Sequence, residues 1–110
     1  MAADLYPGIF EKPGEHADEV ETSLGLAFFP QLMRPVQDDG RAAPSRFEAI
    51  NRGWVSITRP WHLVSVNTGL GDPRPATAEK GQRLMDALSA RLGDFLAELA
   101  RAEKDERFPY

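Results

Sequence analysis

From residue 77 to residue 102 the chain carries no proline, although it holds nine elsewhere. Within that stretch Leu84, Met85, Leu88, Leu92, Phe95, Leu96 and Leu99 recur at helical spacing, while Asp86, Arg91, Asp94, Glu98 and Arg101 fall largely on other faces. Thr77 suits an N-cap and Glu79 the first turn that follows. A helix over these residues is roughly 39 Å long at 1.5 Å per residue. A stripe that wide and apolar has to be covered by another layer. This requirement constrains the fold more than any other feature, because little else in the chain can meet it.

The chain has 110 residues, enough for one small domain. Residues 1–15, with Pro7, Gly8, Pro13 and Gly14, read as an irregular segment with at most a short extended piece at "GIF". A second helix begins at Ala17 or Asp18, with Val20, Leu24, Ala27 and Phe28 at helical spacing. It ends before Pro30, since the residue preceding a proline is pushed out of the α region. "PQLMRPV" reads as a turn into an extended stretch, and residues 37–46 as a polar surface loop. In "WVSIT", Val55, Ile57 and Thr58 favour a strand that Pro60 stops or confines to a sheet edge. Residues 103–110 read as a solvated tail. Two helices and one or two strands do not cover a stripe of that length. The missing surface is therefore expected on another chain, or in a larger fold of which this polypeptide is a portion.

Several functions are set aside directly. The formal charge is −4 and no basic stripe occurs, which argues against nucleic acid as a partner. Without cysteine there is no thiolate metal site and no cysteine nucleophile. No apolar run approaches the roughly 20 residues of a membrane span, and the first residues lack the pattern of a signal peptide, so a cytoplasmic location is expected. "NTGLGDPRP" fails the dinucleotide pattern because position 74 is Arg. Neither H-E-x-x-H nor G-x-S-x-G is present.

The chemistry-bearing stretch is "GEHADEVETS", residues 14–23, where four carboxylates surround one of two histidines. At 100° per residue, Phe28 lies about 20° from Glu21, Leu24 about 60°, and Gly25 about 40° on the other side. Glu21 is therefore expected at the centre of the buried face, where a carboxylate must neutralise or find a cation. Arginine pairing and metal ligation both satisfy that need. Glu19 lies about 160° around and reads as a surface acid complementing the helix dipole, so Glu19→Gln should change little. Asp18 reads the same way, closer to the core-facing edge. Taken alone, Glu15 reads as a surface acid, His16 as a surface or capping group, and His62 as a loop or packing residue. A catalytic zinc usually takes three protein ligands, and this chain does not complete such a set.

"GEHADEVETSLGLAFFPQLM" resembles the creatininase (creatinine amidohydrolase) family segment D/E-H-A-G-E-x-E-T-S followed by an apolar helix and P-x-L. "NTGLGDPRPATAEKG" resembles the later family segment G-D-P-x-x-A-T-A-E-K-G, which opens the final helix. The likeness covers essentially residues 12–102. It implies an α/β fold, with residues 16–102 the C-terminal part of a three-layer α/β/α sandwich that is incomplete in this chain. It implies a metal-dependent amidohydrolase acting on non-peptide C–N bonds of cyclic-amide or formamide type in a small-molecule substrate. The implied cofactor is a divalent metal, zinc and possibly manganese, that activates water and polarises the amide carbonyl. His16 then resembles the active-site histidine, Glu15 the acid beside it, and Glu21 a metal-site residue.

Two further family stretches, of the form E-x-H-G-x-H-L-P and N-G-H-G-G-N, supply most metal ligands and do not occur here. Asp18 stands where glycine is commoner in the family. The isolated chain is accordingly expected neither to bind a catalytic metal tightly nor to turn over an amide without an N-terminal half. The alternative is a non-catalytic structural or regulatory subunit, or a truncated remnant, pairing with a full-length paralogue. Family members commonly form hexamers, which implies a homo- or hetero-oligomer. Trp54 and Trp61 read as packing or interface residues, or as walls of a small-molecule pocket.

Overall fold

The computed structural model describes residues 3–35 and 40–107. Among the described residues four α-helices follow in order: α1, Glu19–Phe28; α2, Glu48–Asn51; α3, Trp61–Val64; and α4, Ala78–Arg101. Single 3-10 turns lie at Tyr6–Gly8 and Pro30–Leu32. The two long helices start and stop where the sequence signals place them. Asp18 caps α1 by accepting from the Glu21 amide, and Pro30 follows its last residues. Thr77 caps α4 by accepting from the Lys80 amide. Part of the loop expected over 37–46 lies outside the described residues.

The expected strand over "WVSIT" does not form. Among the described residues the sheet-like pairings are two isolated antiparallel bridges, His16 with Leu70 and Ala42 with Ser65. A β-branched run needs a neighbouring ladder to satisfy its backbone, and no described segment offers one. Val55 and Ile57 are about half exposed instead, at 51% and 52%.

α1 lies against the N-terminal half of α4, and this contact organises the described chain. Phe10, Val20 and Leu84 are buried together, with Leu5, Tyr6, Ile9, Leu24 and Leu88 packed around them. Residues 1–15, read from sequence as irregular, thus contribute a core residue as well as the Tyr6–Phe10 edge-to-face ring pair at 5.6 Å. Each fully buried apolar side chain contributes roughly 1.5–3 kcal/mol. The helices approach closely because Gly81 has no side chain: a Cβ there would stand 2.1 Å from the Ser23 carbonyl oxygen. α1, at roughly 15 Å, spans less than half of α4, at roughly 36 Å. Leu92, Phe95, Leu96 and Leu99, on the far half of α4, remain 38–55% exposed.

The face of α1 that turns to α4 is the one carrying Glu19, Val20 and Ser23, and this corrects the surface reading of Glu19. Glu19 is fully buried. Its Oε1 accepts from Lys80 Nζ at 2.5 Å, and its Oε2 accepts from the Glu11 and Lys12 amides at 2.9 and 2.6 Å. Lys80 also donates to the Pro75 carbonyl and to Glu11. One carboxylate therefore ties the N-terminal segment, α1 and α4 together. Burial pushes the Glu19 carboxyl up, but the Lys80 ammonium and the two amides outweigh it and hold the group below its ordinary 4.5. Lys80 is raised above its ordinary 10.5, chiefly by the hydrogen bond to Glu19.

A depressed carboxyl pKa stabilises the fold fully above the unfolded value and loses that contribution as pH falls through the folded one. Stability is thus expected to decline on acidification below about 4.5. Glu19→Gln should flatten that acid limb and cost about 3 kcal/mol at neutral pH, because it removes the buried counter-charge of Lys80 and leaves the ammonium only the exposed Glu11 as an ionic partner. Urea unfolding across pH measures both effects. The same assay tests the helix contact. Gly81→Ala should destabilise by roughly 1–3 kcal/mol through overpacking. Gly93→Ala, where an added Cβ meets nothing within 4 Å, should stabilise by roughly 0.5–1 kcal/mol.

Candidate functional site

The two sequence segments that carry chemistry, 14–23 and 67–81, fold onto each other. The Leu70 amide donates to the His16 carbonyl at 2.8 Å, and the Glu15 amide donates to the Leu70 carbonyl at 3.0 Å. Gly14 and Gly71 let the backbones cross: a Cβ on Gly14 would lie 2.8 Å from the Gly71 Cα, and one on Gly71 would lie 2.3 Å from the Asp18 Cβ. Asp18 is almost wholly buried at this crossing. It accepts from the Gly14 amide at 2.6 Å through Oδ2 and from the Glu21 amide at 2.9 Å through Oδ1. The Thr77 amide donates to Ser23 Oγ at 3.2 Å. Lys12 pairs with Asp72 at 2.8 Å. The Arg74 guanidinium, followed by Lys12, holds the Asp72 carboxyl well below the usual carboxylate range. Asp18 thus does more than complement a dipole; it is the knot between the two segments.

Ala17, between His16 and the cap, has φ +49°, a left-handed conformation that costs a non-glycine residue roughly 1–2 kcal/mol. The bend sends the chain from the His16–Leu70 bridge directly into α1. It also brings the Ala17 amide to Glu21, whose Oε2 accepts from it at 2.5 Å. His16 Nδ1 stands 3.6 Å from the same carboxylate oxygen, an ion pair whenever the imidazole is protonated. The Trp61 ring meets the His16 ring edge-on, with centroids 5.0 Å apart at 87°.

The inward placement expected for Glu21 is not what the structure shows. Glu21 does share a helix face with Phe28, as the wheel requires, but that face points away from α4, and both residues are exposed. The wheel fixed the angle between Glu19 and Glu21 correctly. The packing of Ser23 against Gly81 then decided which side is covered within these residues, and it chose the opposite one. Glu21 therefore sits with His16 on an open edge, side-chain exposures being 58% and 49%. Glu15 is exposed beside them and lines a cleft of about 530 Å³. His62 is exposed on α3, and Trp54 is 70% exposed with the Arg52 guanidinium 5.1 Å from its ring centroid. Lys80, which sequence reasoning did not single out, is the cation on the covered side; its signal was the "AEKG" of the second segment.

Among the described residues no group of three or more His, Asp or Glu side chains is placed to hold a metal ion. His16 and Glu21 converge as two donors, fewer than the usual three protein ligands of a catalytic zinc. These residues do not by themselves fit a complete metal site.

Residues 14–23 and 67–81 both lie within one family match. The family profile for creatininase (creatinine amidohydrolase) matches residues 3–96. The chain belongs to the creatininase family. A crystal structure from Bacteroides fragilis NCTC 9343, of a protein carrying the provisional name creatinine amidohydrolase, superposes with a TM-score of 0.77 at 31% identity. The match covers 92% of this chain and 41% of that one, so these residues span less than half the length of that relative. Among curated proteins no sequence matches this chain. Among the described residues no helix is long and apolar enough to cross a membrane.

Asp18 offers a direct test of how the edge is built. Asp18→Ala should lower stability by about 2 kcal/mol through loss of the cap and of the Gly14 anchor. It should also shift the NMR resonances of His16 and Leu70 together. If the His16 signals stayed in place, the backbone crossing would not depend on Asp18.

Proposed function

We propose that these residues are the C-terminal part of a metal-dependent, creatininase-type amidohydrolase that hydrolyses cyclic-amide or formamide C–N bonds in small molecules. The observation that carries this is the docking of the two family segments through the His16–Leu70 bridge. It presents His16, Glu15 and Glu21 on one open edge beside a cleft. In the reading offered, His16 hydrogen-bonds the substrate amide and carries a proton to or from it, with its ring held between Trp61 and Glu21. Glu21 orients His16 and offers one donor to a metal shared with ligands from segments outside these 110 residues. Glu15 faces the cleft where substrate would lie. No step is assigned to a metal held by these residues alone.

The layered architecture belongs to the same proposal. The uncovered Leu92, Phe95, Leu96 and Leu99 face would lie on a sheet outside these residues, giving the three-layer α/β/α sandwich. The incomplete donor set and that same open stripe also favour a second reading, a non-catalytic subunit that caps or regulates a full-length paralogue.

Reconstitution separates the two. Zinc and manganese content should be measured on the chain alone and after mixing with a polypeptide bearing the E-x-H-G-x-H and N-G-H-G-G-N stretches. The enzyme reading expects stoichiometric metal and amide hydrolysis in the mixture and neither from the chain alone. Glu21→Gln should then lower occupancy and activity together. A mixture that assembles but shows no metal or turnover dependent on this chain would leave the subunit reading standing and overturn the enzyme reading.

A further inference from the structure

Arg59 lies on the wall of the cleft that Glu15 also lines. It is half-buried, and its Nη1 donates to the Ala43 and Leu63 carbonyls at 3.3 and 3.4 Å. No carboxylate pairs with it among the described residues. A lysine in such a place can shed its proton, but a guanidinium cannot, so the charge persists. The two carbonyl contacts are long and engage one nitrogen, which leaves the Nε–Nη2 edge of the guanidinium fork for another acceptor. A partly desolvated, permanent cation that no described carboxylate pairs attracts an anion into the space it faces.

The rest of the cleft narrows what that anion belongs to. Ile50, Val55, Ile57 and Val64 supply apolar wall, and the volume of about 530 Å³ falls in the ordinary range for a small-molecule site. Glu15, the other charged side chain on the wall, adjoins His16 and its bridge to Leu70. The cleft therefore offers a cation, an aliphatic surface, and an approach to the His16 edge.

We propose that Arg59 is the specificity-determining residue of this cleft, and that the substrate is a small amide carrying a carboxylate on an aliphatic body. The carboxylate pairs with the Arg59 fork, the aliphatic part lies on Ile57 and Val64, and the reacting C–N bond is directed toward His16. This rests on the amidohydrolase reading for its chemistry, but its binding component stands apart from turnover.

The probes are N-formylleucine and its neutral counterpart N-formylleucinamide, which share the formamide and the side chain and differ in the charge. Titrated into the wild-type 110-residue chain and followed by NMR, N-formylleucine should bind about tenfold more tightly than the amide. It should also shift the Arg59 Nε–H signal. Arg59→Gln should abolish that preference without weakening the neutral probe, and Arg59→Lys should restore part of it. Equal affinity of the two probes for wild-type protein overturns the proposal, and that comparison decides the matter even if Arg59→Gln fails to fold. In the reconstituted mixture, Arg59→Gln should raise KM for N-formylleucine about tenfold with little change in kcat. Charge selectivity without hydrolysis would sink only the amidohydrolase reading, and hydrolysis without charge selectivity only the assignment of Arg59.

Discussion

The closeness of α1 to α4 is the constraint on which the rest of the described structure depends. It exists because Gly81 leaves room for the Ser23 backbone. Once the helices are that near, the buried Glu19 and the partly buried Lys80 face each other, and the carboxylate cannot be left alone there. Glu19 answers by taking three donors from two parts of the chain, the N-terminal segment and α4. The N-terminal segment is drawn in by two of its amides, and Phe10 is carried into the core with it. A buried ion pair contributes less to net stability than its distance suggests, because desolvation opposes it. Here its clearer effect is on register, since the observed pairing of α1 with α4 sets Glu19 against Lys80 while its other oxygen meets the Glu11 and Lys12 amides.

That register also governs the candidate site. With Glu19 and Ser23 turned inward, Glu21 is turned outward by helical geometry. With Gly14 and Gly71 in contact and Asp18 bonded across the crossing, His16 is pinned at its backbone while its ring stays open. The left-handed Ala17 makes the bend between them possible. The site edge is thus rigid at its backbone and unfinished at its side chains. Family membership and the match to less than half of the Bacteroides fragilis protein fit an edge of this kind.

Local order was legible from sequence wherever its cause was local. Asp18 and Thr77 cap helices because a short side chain can accept from an amide two or three residues ahead. Pro30 and the proline-free run after Pro75 set the limits of α1 and α4 for equally local reasons. The "WVSIT" segment was misread because β-branching expresses a preference for a pleated neighbour, and the neighbour has to be supplied from elsewhere. The burial of Glu19 was missed for a related reason: its partner is 61 positions away.

The sequence by itself determined the two long helices, the family of the chain, and the angle separating Glu19 from Glu21 on their shared helix. It also held the residues of both family segments, since each is a contiguous string. Only the tertiary structure decided which carboxylate is buried, that the two segments join through His16 and Leu70, and that Arg59 faces the same cleft as Glu15. The division has one physical cause. Periodicity and capping depend on residues within a turn or two of each other, whereas burial depends on what another part of the chain brings to the surface it covers.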